Sequence, residues 1–454
     1  MTSSADGSYA FWIDRADYAP SQKFKLVATK TGYSSSTFDN ISIVSGDDID
    51  IGPVRPEWFG GGITATAAQN TVAIEAAIAS SPSPNIIFQE GTYEFAGPIY
   101  EGTKSVTLSG TGWEKTILKD TSTSIYGIQF RGPEWVIKDL TIDSNGGTAP
   151  AFIAMGQYGY IHNLWVKNYA GDASGAVVIN GATGTGIDGL LINDSGVGLE
   201  MGPLPTGYVS ATRVHLGHTD KGAPLILNQV AAGKISAYIE EGSANSVIEG
   251  CSGLDLALNA EFDNNAGALV DAGYIRITNS NGIRITGRIK HQLGTASKNF
   301  FTLTGTNYGI SFYDIYYKGY KTGMTFIENT GTVYGLSVSN ILTDSSETMT
   351  GIKNTASVIN ETISGWTDIT SLASHTLDST NLTIKNVYNG AITITPRATT
   401  GSSYTPAVKT LSGYRQDFGA IAGTACVIDP SNNWTVKVED GSGNMQTKKI
   451  AICQ

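Results

Sequence analysis

Only 15% of the 454 residues are charged, yet groups able to move protons or hold anions gather in one interval. Arg213 and His215 come first, then Tyr238 and Glu240, Glu261 and Asp263, and finally Arg288 and Lys290, each pair about 25 residues after the last. The three carboxylates, Glu240, Glu261 and Asp263, are the candidates for catalysis. Cleavage of a glycosidic bond uses one carboxylic acid to protonate the leaving oxygen and a second carboxylate as nucleophile or as activator of water. Crowded carboxylates raise at least one pKa among them, as a general acid at neutral pH requires. Arg213, His215, Arg288 and Lys290 are candidates for gripping an acidic sugar, and Tyr238 or Trp165 for stacking on a pyranose face.

The same residues suit two other uses. β-Elimination from a uronic-acid polymer needs a base and a neutraliser for the carboxylate, roles open to Lys290, Arg288, His215 and the acidic cluster. An outward ladder of charges also serves as a solubilising face, here with cross-coil pairs Arg213–Glu240 and Asp263–Arg288.

These residues meet only if the chain stacks them. From about Trp135 to Ile363 an apolar pattern recurs as WVIKDLTID, GYIHNLWVK, TGIDGLLIN, GYVSATRVH, GKISAYIEE, LALNAEFDN, NGIRITGRIK, ISFYDIYYK and GLSVSNILT. Each stretch alternates apolar and polar residues and ends in Asn, Gly, Ser or Asp, which is strand with turn chemistry. Anchored on Ile142, Val166, Ile192, Val214, Ile239, Phe262, Ile289, Ile315, Ile341 and Ile363, the stretches imply one coil per repeat. No asparagine column or fixed leucine spacing supports a leucine-rich horseshoe, and a propeller blade is longer. The expected fold is an all-β, right-handed parallel β-helix, a single-stranded solenoid. Residues flanking each anchor should face outward: Thr141/Asp143, Trp165/Lys167, Leu191/Asn193, Arg213/His215, Tyr238/Glu240, Glu261/Asp263, Arg288/Lys290 and Asp314/Tyr316.

Composition narrows the partners. The 54 glycines match a turn-rich solenoid, and a net charge of −11 without a basic run argues against nucleic acid. No apolar stretch reaches the ~18 residues of a membrane span, so membrane insertion is not expected. Met1 leads straight into polar TSSADGSYAF, so a signal peptide is not expected either. Of the three cysteines, Cys251 reads as a small buried hydrophobe, and Cys426 and Cys453 could pair. His215 and His218 lack a third ligand, so no metal is expected, and GATGTG at 181–186 opens no helix, so it is a turn rather than a phosphate loop. No cofactor is implied. Asp139, Asp143, Asp188 and Asp194 suit turns, and Trp113, Trp135, Trp165 and Trp366 suit packing or a sugar groove.

In chain order, residues 1–51 form a small N-terminal β-module for attachment or spacing. Residues 52–100 form the solenoid entrance, with Asn70 capping a helix that docks Val72, Ala73, Ala76 and Ala77 on the open first coil. Residues 101–394 are the β-helix. Residues 395–454 form a β-sandwich-like or trimerisation module, with DGSGN at 440–444 as a hairpin turn.

PEWFG, the helix AIEAAIA and the strand-turn IIFQEGTYEF together resemble the opening of bacteriophage tailspike depolymerases and related pectate-lyase-like β-helix proteins. The chain departs from that pattern where GGITATAAQN replaces the usual GDG…TDD acidic loop. The resemblance implies a homotrimeric virion spike, joined to other tail proteins through its N-terminus, that binds and often cleaves bacterial surface polysaccharide. Hydrolysis is the preferred chemistry, with a polysaccharide lyase and a non-catalytic glycan-binding receptor spike as alternatives.

Overall fold

The computed structural model describes residues 2–3, 9–10, 23–28, 36–42, 53–122, 126–219, 222–242, 244–262, 274–291, 299–319, 323–344, 349–368, 373–377, 381–385, 390–394, 407–412, 435–439 and 445–449. The chain divides into two compact units, Met1–Tyr169 and Ala170–Gln454.

In the first unit, two short antiparallel pairs precede the solenoid, Thr2–Ser3 with Tyr9–Ala10 and Lys23–Ala28 with Ser36–Ser42. Helix α1 (Ala67–Ala79) is capped by Thr66, whose hydroxyl accepts from the Gln69 N–H while the Gln69 side chain accepts from the Thr66 N–H. The expected Asn70 cap is therefore corrected. Asn70 lies one turn inside the helix, fully buried, accepting from Gly62 N–H and donating to the Glu94 carbonyl. Because the helix starts earlier than the apolar run suggests, its docked face is Asn70, Ala73, Ile74, Ala77 and Ile78, and Val72 is 65% exposed. At the other end, Lys104 Nζ donates to the carbonyls of Ile78, Ala79 and Ser81, satisfying acceptors that the helix leaves open. The PEWF turn is held by the Tyr93 hydroxyl donating to Glu57. Beyond it, β1 (Glu134–Asp143) pairs in parallel with β2 (Tyr158–Lys167), and a second parallel sheet joins Ile99–Glu101, Ile128–Phe130 and Phe152–Ala154. Trp135 is core here, as Trp366 is in the second unit, so neither lines a groove.

The second unit carries eight long strands, β3 (Gly184–Asn193), β4 (Thr206–Thr219), β5 (Val230–Gly242), β6 (Leu254–Phe262), β7 (Arg284–His291), β8 (Thr306–Lys318), β9 (Thr332–Asp344) and β10 (Val358–Asp368). Each pairs in parallel with the next. A facing sheet of short strands runs from Gly175–Ile179 to Gly390–Ile394, again with parallel neighbours. This is the expected parallel β-solenoid. The stack continues past β10 through Asn381–Lys385 to Ala407–Ser412, and Thr435–Glu439 pairs antiparallel with Met445–Lys449 across the DGSGN segment. Between the sheets, inward residues make a dry core. Phe326 alone packs against Phe300, Phe301, Phe312, Tyr317 and Trp366, with ring centroids 5.3–6.5 Å away.

The register differs from the sequence expectation by two residues at several coils. Ile192 pairs with Leu216 rather than Val214, Ile239 with Ala260 rather than Phe262, and Ile289 with Tyr317 rather than Ile315. Two-residue slips keep each side chain on its face, so most outward assignments survive while their partners change. Thr141 is the exception, fully buried, with its hydroxyl accepting from the Glu114 N–H.

The two one-residue irregularities in the register, between β4 and β5 and between β7 and β8, have a local cause. Most long strands carry a mid-strand residue in the left-handed region: Asp139 (φ 55°) and Asn163 (φ 46°) in the first unit, and Gly189 (φ 84°), Arg213 (φ 54°), Asp314 (φ 52°), Asn340 (φ 53°) and Gly365 (φ 67°) in the second; β8, β9 and β10 carry another nearer their start, at Gly309 (φ 59°), Gly335 (φ 80°) and Asn360 (φ 62°). Gly, Asn and Asp tolerate this backbone best. Amide-to-carboxylate bonds tie successive corners, Asn163 to Asp139 and Asn340 to Asp314, each at 3.0 Å. β5, β6 and β7 have no residue with φ near 45–85°, although Gly233 in β5 (φ 153°) and Gly287 in β7 (φ 134°) take positive φ. Thr212 and Arg213 on β4 face Ser236 alone on β5, and Thr286 alone on β7 faces Tyr313 and Asp314 on β8.

Candidate functional site

Without a corner, β5, β6 and β7 run straight, and alternate residues form four outward rows across three coils. They are Lys234–Asp255–Arg284, Ser236–Ala257–Thr286, Tyr238–Asn259–Arg288 and Glu240–Glu261–Lys290. A row of small side chains thus lies between two rows of long polar ones. Inward neighbours Ile235, Ala237, Ile239, Leu256, Leu258, Ala260, Ile285 and Ile289 are all buried, which pins these strands to the core.

Five of the candidate residues, His215, Tyr238, Glu240, Glu261 and Lys290, meet here. His215 Nε2 lies 3.1 Å from Glu240 Oε2, and its ring meets Tyr238 edge-on at 4.8 Å. The Tyr238 hydroxyl donates to Glu261 Oε2 at 3.1 Å, and Lys290 Nζ donates to Glu261 Oε1 at 2.7 Å. Glu240 and Glu261 are direct register partners on adjacent strands, which are ~4.8 Å apart. The contacts continue along the solenoid axis. The Arg288 guanidinium carbon lies 5.5 Å from the Tyr316 ring centroid, and the Tyr316 hydroxyl donates to Asp344 Oδ2 at 3.0 Å.

The electrostatics of Glu261 are set by its partners. The Lys290 ammonium holds the Glu261 carboxyl below the usual glutamate range, against the opposing effect of burial, with the Tyr238 hydroxyl and the charge of Arg288 adding to the lowering. Opposite charge, rather than carboxylate crowding, governs this group. Tyr316 is shifted up by burial and by the Asp344 carboxylate.

Other candidates fall elsewhere. Arg213 sits on the β4 corner, with Nε 2.6 Å from Asp188 Oδ1 on β3, so its ion pair is with Asp188 and not with Glu240. Asp188 also accepts from the Thr212 hydroxyl at 3.0 Å and so serves the corner. Trp165 belongs to the first unit, where the Lys167 ammonium lies 4.7 Å from its ring centroid. Asp263 lies outside the described residues. Cys251 is buried, its thiol pushed up to about 11 by desolvation, and is inert. Sequence reasoning named Tyr316 as outward but set it opposite Lys290 rather than Arg288, because of the two-residue register change between β7 and β8, and it missed Asp344, which lies beyond the pair flanking Ile341. The signal available was the Asp and Asn preceding Ile315 and Ile341, residue types that favour a left-handed corner.

No family model and no curated protein matches the chain. Among solved structures it is similar to ORF18 of Geobacillus virus E2, with 17% identity, TM-score 0.39, and coverage of 67% of this chain and 60% of that one. It is similar to the A-module of a mannuronan C-5 epimerase from Azotobacter vinelandii, with 13% identity, TM-score 0.38, and coverage of 75% and 96%. It is also similar to the enzymatically active domain of tailspike protein 2 of bacteriophage CBA120, with 12% identity, TM-score 0.43, and coverage of 83% and 60%. The chain therefore spans about 60% of the length of the first and last of these. Phage tailspikes are among the solved structures to which the chain is similar.

Proposed function

We propose that the chain binds and hydrolyses a bacterial surface polysaccharide on the straight face of β5, β6 and β7, as part of a phage tail spike. The observation that carries this reading is the register pairing of Glu240 with Glu261, each with its own distinct partners. Glu261 is kept ionised by Lys290 and Tyr238, which suits it to attack the anomeric carbon. Glu240, beside His215, supplies the proton to the leaving glycosidic oxygen as the C–O bond breaks. Water then loses its proton to Glu240, attacks the anomeric carbon and releases Glu261, which balances the two steps. Neighbouring strands at ~4.8 Å favour the short carboxyl separation of about 5–5.5 Å that goes with retention of configuration. Tyr238 offers a ring face for a pyranose.

Wild type, Glu240→Gln and Glu261→Gln should be compared on a panel of purified capsules, with products read by mass. A new reducing end lost in both variants supports hydrolysis here. An unsaturated uronate product indicates elimination instead, and full activity in both variants moves the chemistry away from these coils. A chain that binds but never cleaves is a receptor spike. The homotrimer that accompanies this reading is tested by light scattering, and attachment to tail proteins through residues 1–51 by pull-down of tail proteins.

A further inference from the structure

We propose that Arg288, mounted on the ring of Tyr316, is the anion-binding group of this face and that the glycan it selects carries a carboxylate. The inference rests on the polysaccharide reading above and adds its substrate class. β7 presents three outward cations, and their surroundings differ. Arg284 has Nε 3.7 Å from Asp255 Oδ1, and Lys290 has Nζ 2.7 Å from Glu261 Oε1. Arg288 faces Asn259 on β6 and Tyr316 on β8, neither of them a carboxylate. Its side chain is exposed, and among the described residues no carboxylate pairs with it.

The stacking has a consequence for recognition. A guanidinium over a ring keeps its N–H groups at the edge, in the planar fork that matches a carboxylate. Tyr316 is itself anchored by its bond to Asp344, so the platform is fixed before any ligand arrives. The row holding Arg288 lies two residues along the strand from the Glu261–Lys290 row, roughly 7 Å away. A sugar bound over Glu240 and Glu261 can therefore reach Arg288 with a carboxylate on the same or the next ring, while Lys290 remains engaged with Glu261.

The test is an array of bacterial capsular oligosaccharides, with and without carboxylates, probed with the full chain as wild type, Arg288→Ala, Arg288→Lys and Glu261→Gln. Wild type should be retained on carboxylated members, Arg288→Ala should bind them roughly tenfold more weakly, and Arg288→Lys should recover part of the loss. Glu261→Gln should bind them still, and reducing the carboxylates to alcohols should erase the difference between wild type and Arg288→Ala. An unchanged thermal midpoint for Arg288→Ala shows that folding is not the cause. Wild-type retention on neutral members alone, or undiminished binding of carboxylated ones by Arg288→Ala, overturns the assignment. Retention on nothing overturns the polysaccharide reading itself.

Discussion

The coils of β5, β6 and β7 and those of β8, β9 and β10 share one direction of pairing, and they differ by the residue inserted at mid-strand between β7 and β8. In β8, β9 and β10, Asp314, Asn340 and Gly365 turn the chain in the left-handed region. In β5, β6 and β7 that residue is missing, so alternate side chains keep to one face from the core-facing isoleucines to the outer charged residues, with Gly287 (φ 134°) between Thr286 and Arg288 on β7. A corner splits outward side chains between two faces. An unbroken strand keeps them on one face, where neighbouring coils place them in rows ~4.8 Å apart. That is why contacts among His215, Tyr238, Glu240, Glu261 and Lys290 form here.

The sharpest way to break this comparison is chemical. Glu261→Gln should lower cleavage by about 10³-fold or more, with Glu240→Gln costing about 10²–10⁴-fold, while the thermal midpoint holds. Equal losses from Asp314→Asn, on the bent coils, would remove the distinction.

A structural break comes next. A Cβ at Gly287 would lie 1.9 Å from the Leu258 carbonyl oxygen, so Gly287→Ala should destabilise the straight region by about 3 kcal/mol, read by denaturant midpoint. In the bent region, Asn340→Ala loses the bond to Asp314 and a residue suited to φ 53°, and should cost about 1–2 kcal/mol.

Lys290→Met sharpens the electrostatic side. Glu261 has its pKa lowered in the folded chain, so its ionised pairing stabilises above the ordinary carboxylate range and is lost as pH falls through the lowered value. Removing the ammonium should raise that pKa, shifting the acid limb of kcat/KM to higher pH and leaving the alkaline limb in place. An unmoved acid limb would mean that Glu261 is not the group titrated. The smallest effect is expected at Arg213→Ala, which removes an exposed pair with Asp188 and should change stability by about 0.5–1 kcal/mol and cleavage by less than about threefold.

Much of this was legible from residue order. Alternation of apolar and polar residues at a return of about 25 identifies stacked strands, because period two assigns each side chain to a face whatever its partner. That parity survived every two-residue slip, so His215, Tyr238, Glu240, Glu261, Arg288 and Lys290 were all placed outward correctly. Partner identity was not legible. Whether Glu240 faces Glu261 or Asp263 is a two-residue choice between β5 and β6, and whether Arg213 reaches Glu240 or Asp188 turns on the residue inserted at the β4 corner; alternating patterns tolerate either. The helix shows the same limit: AIEAAIA announces an amphipathic segment, but its first turn is set by the Thr66–Gln69 capping box and by the space that buries Asn70. The sequence by itself determined the repeat, the faces and the kinds of chemistry available, since these follow from local periodicity and residue type. Only the tertiary structure decided which side chains touch and which carboxylate is held ionised, because contact across coils depends on register, and register is set where the backbone bends.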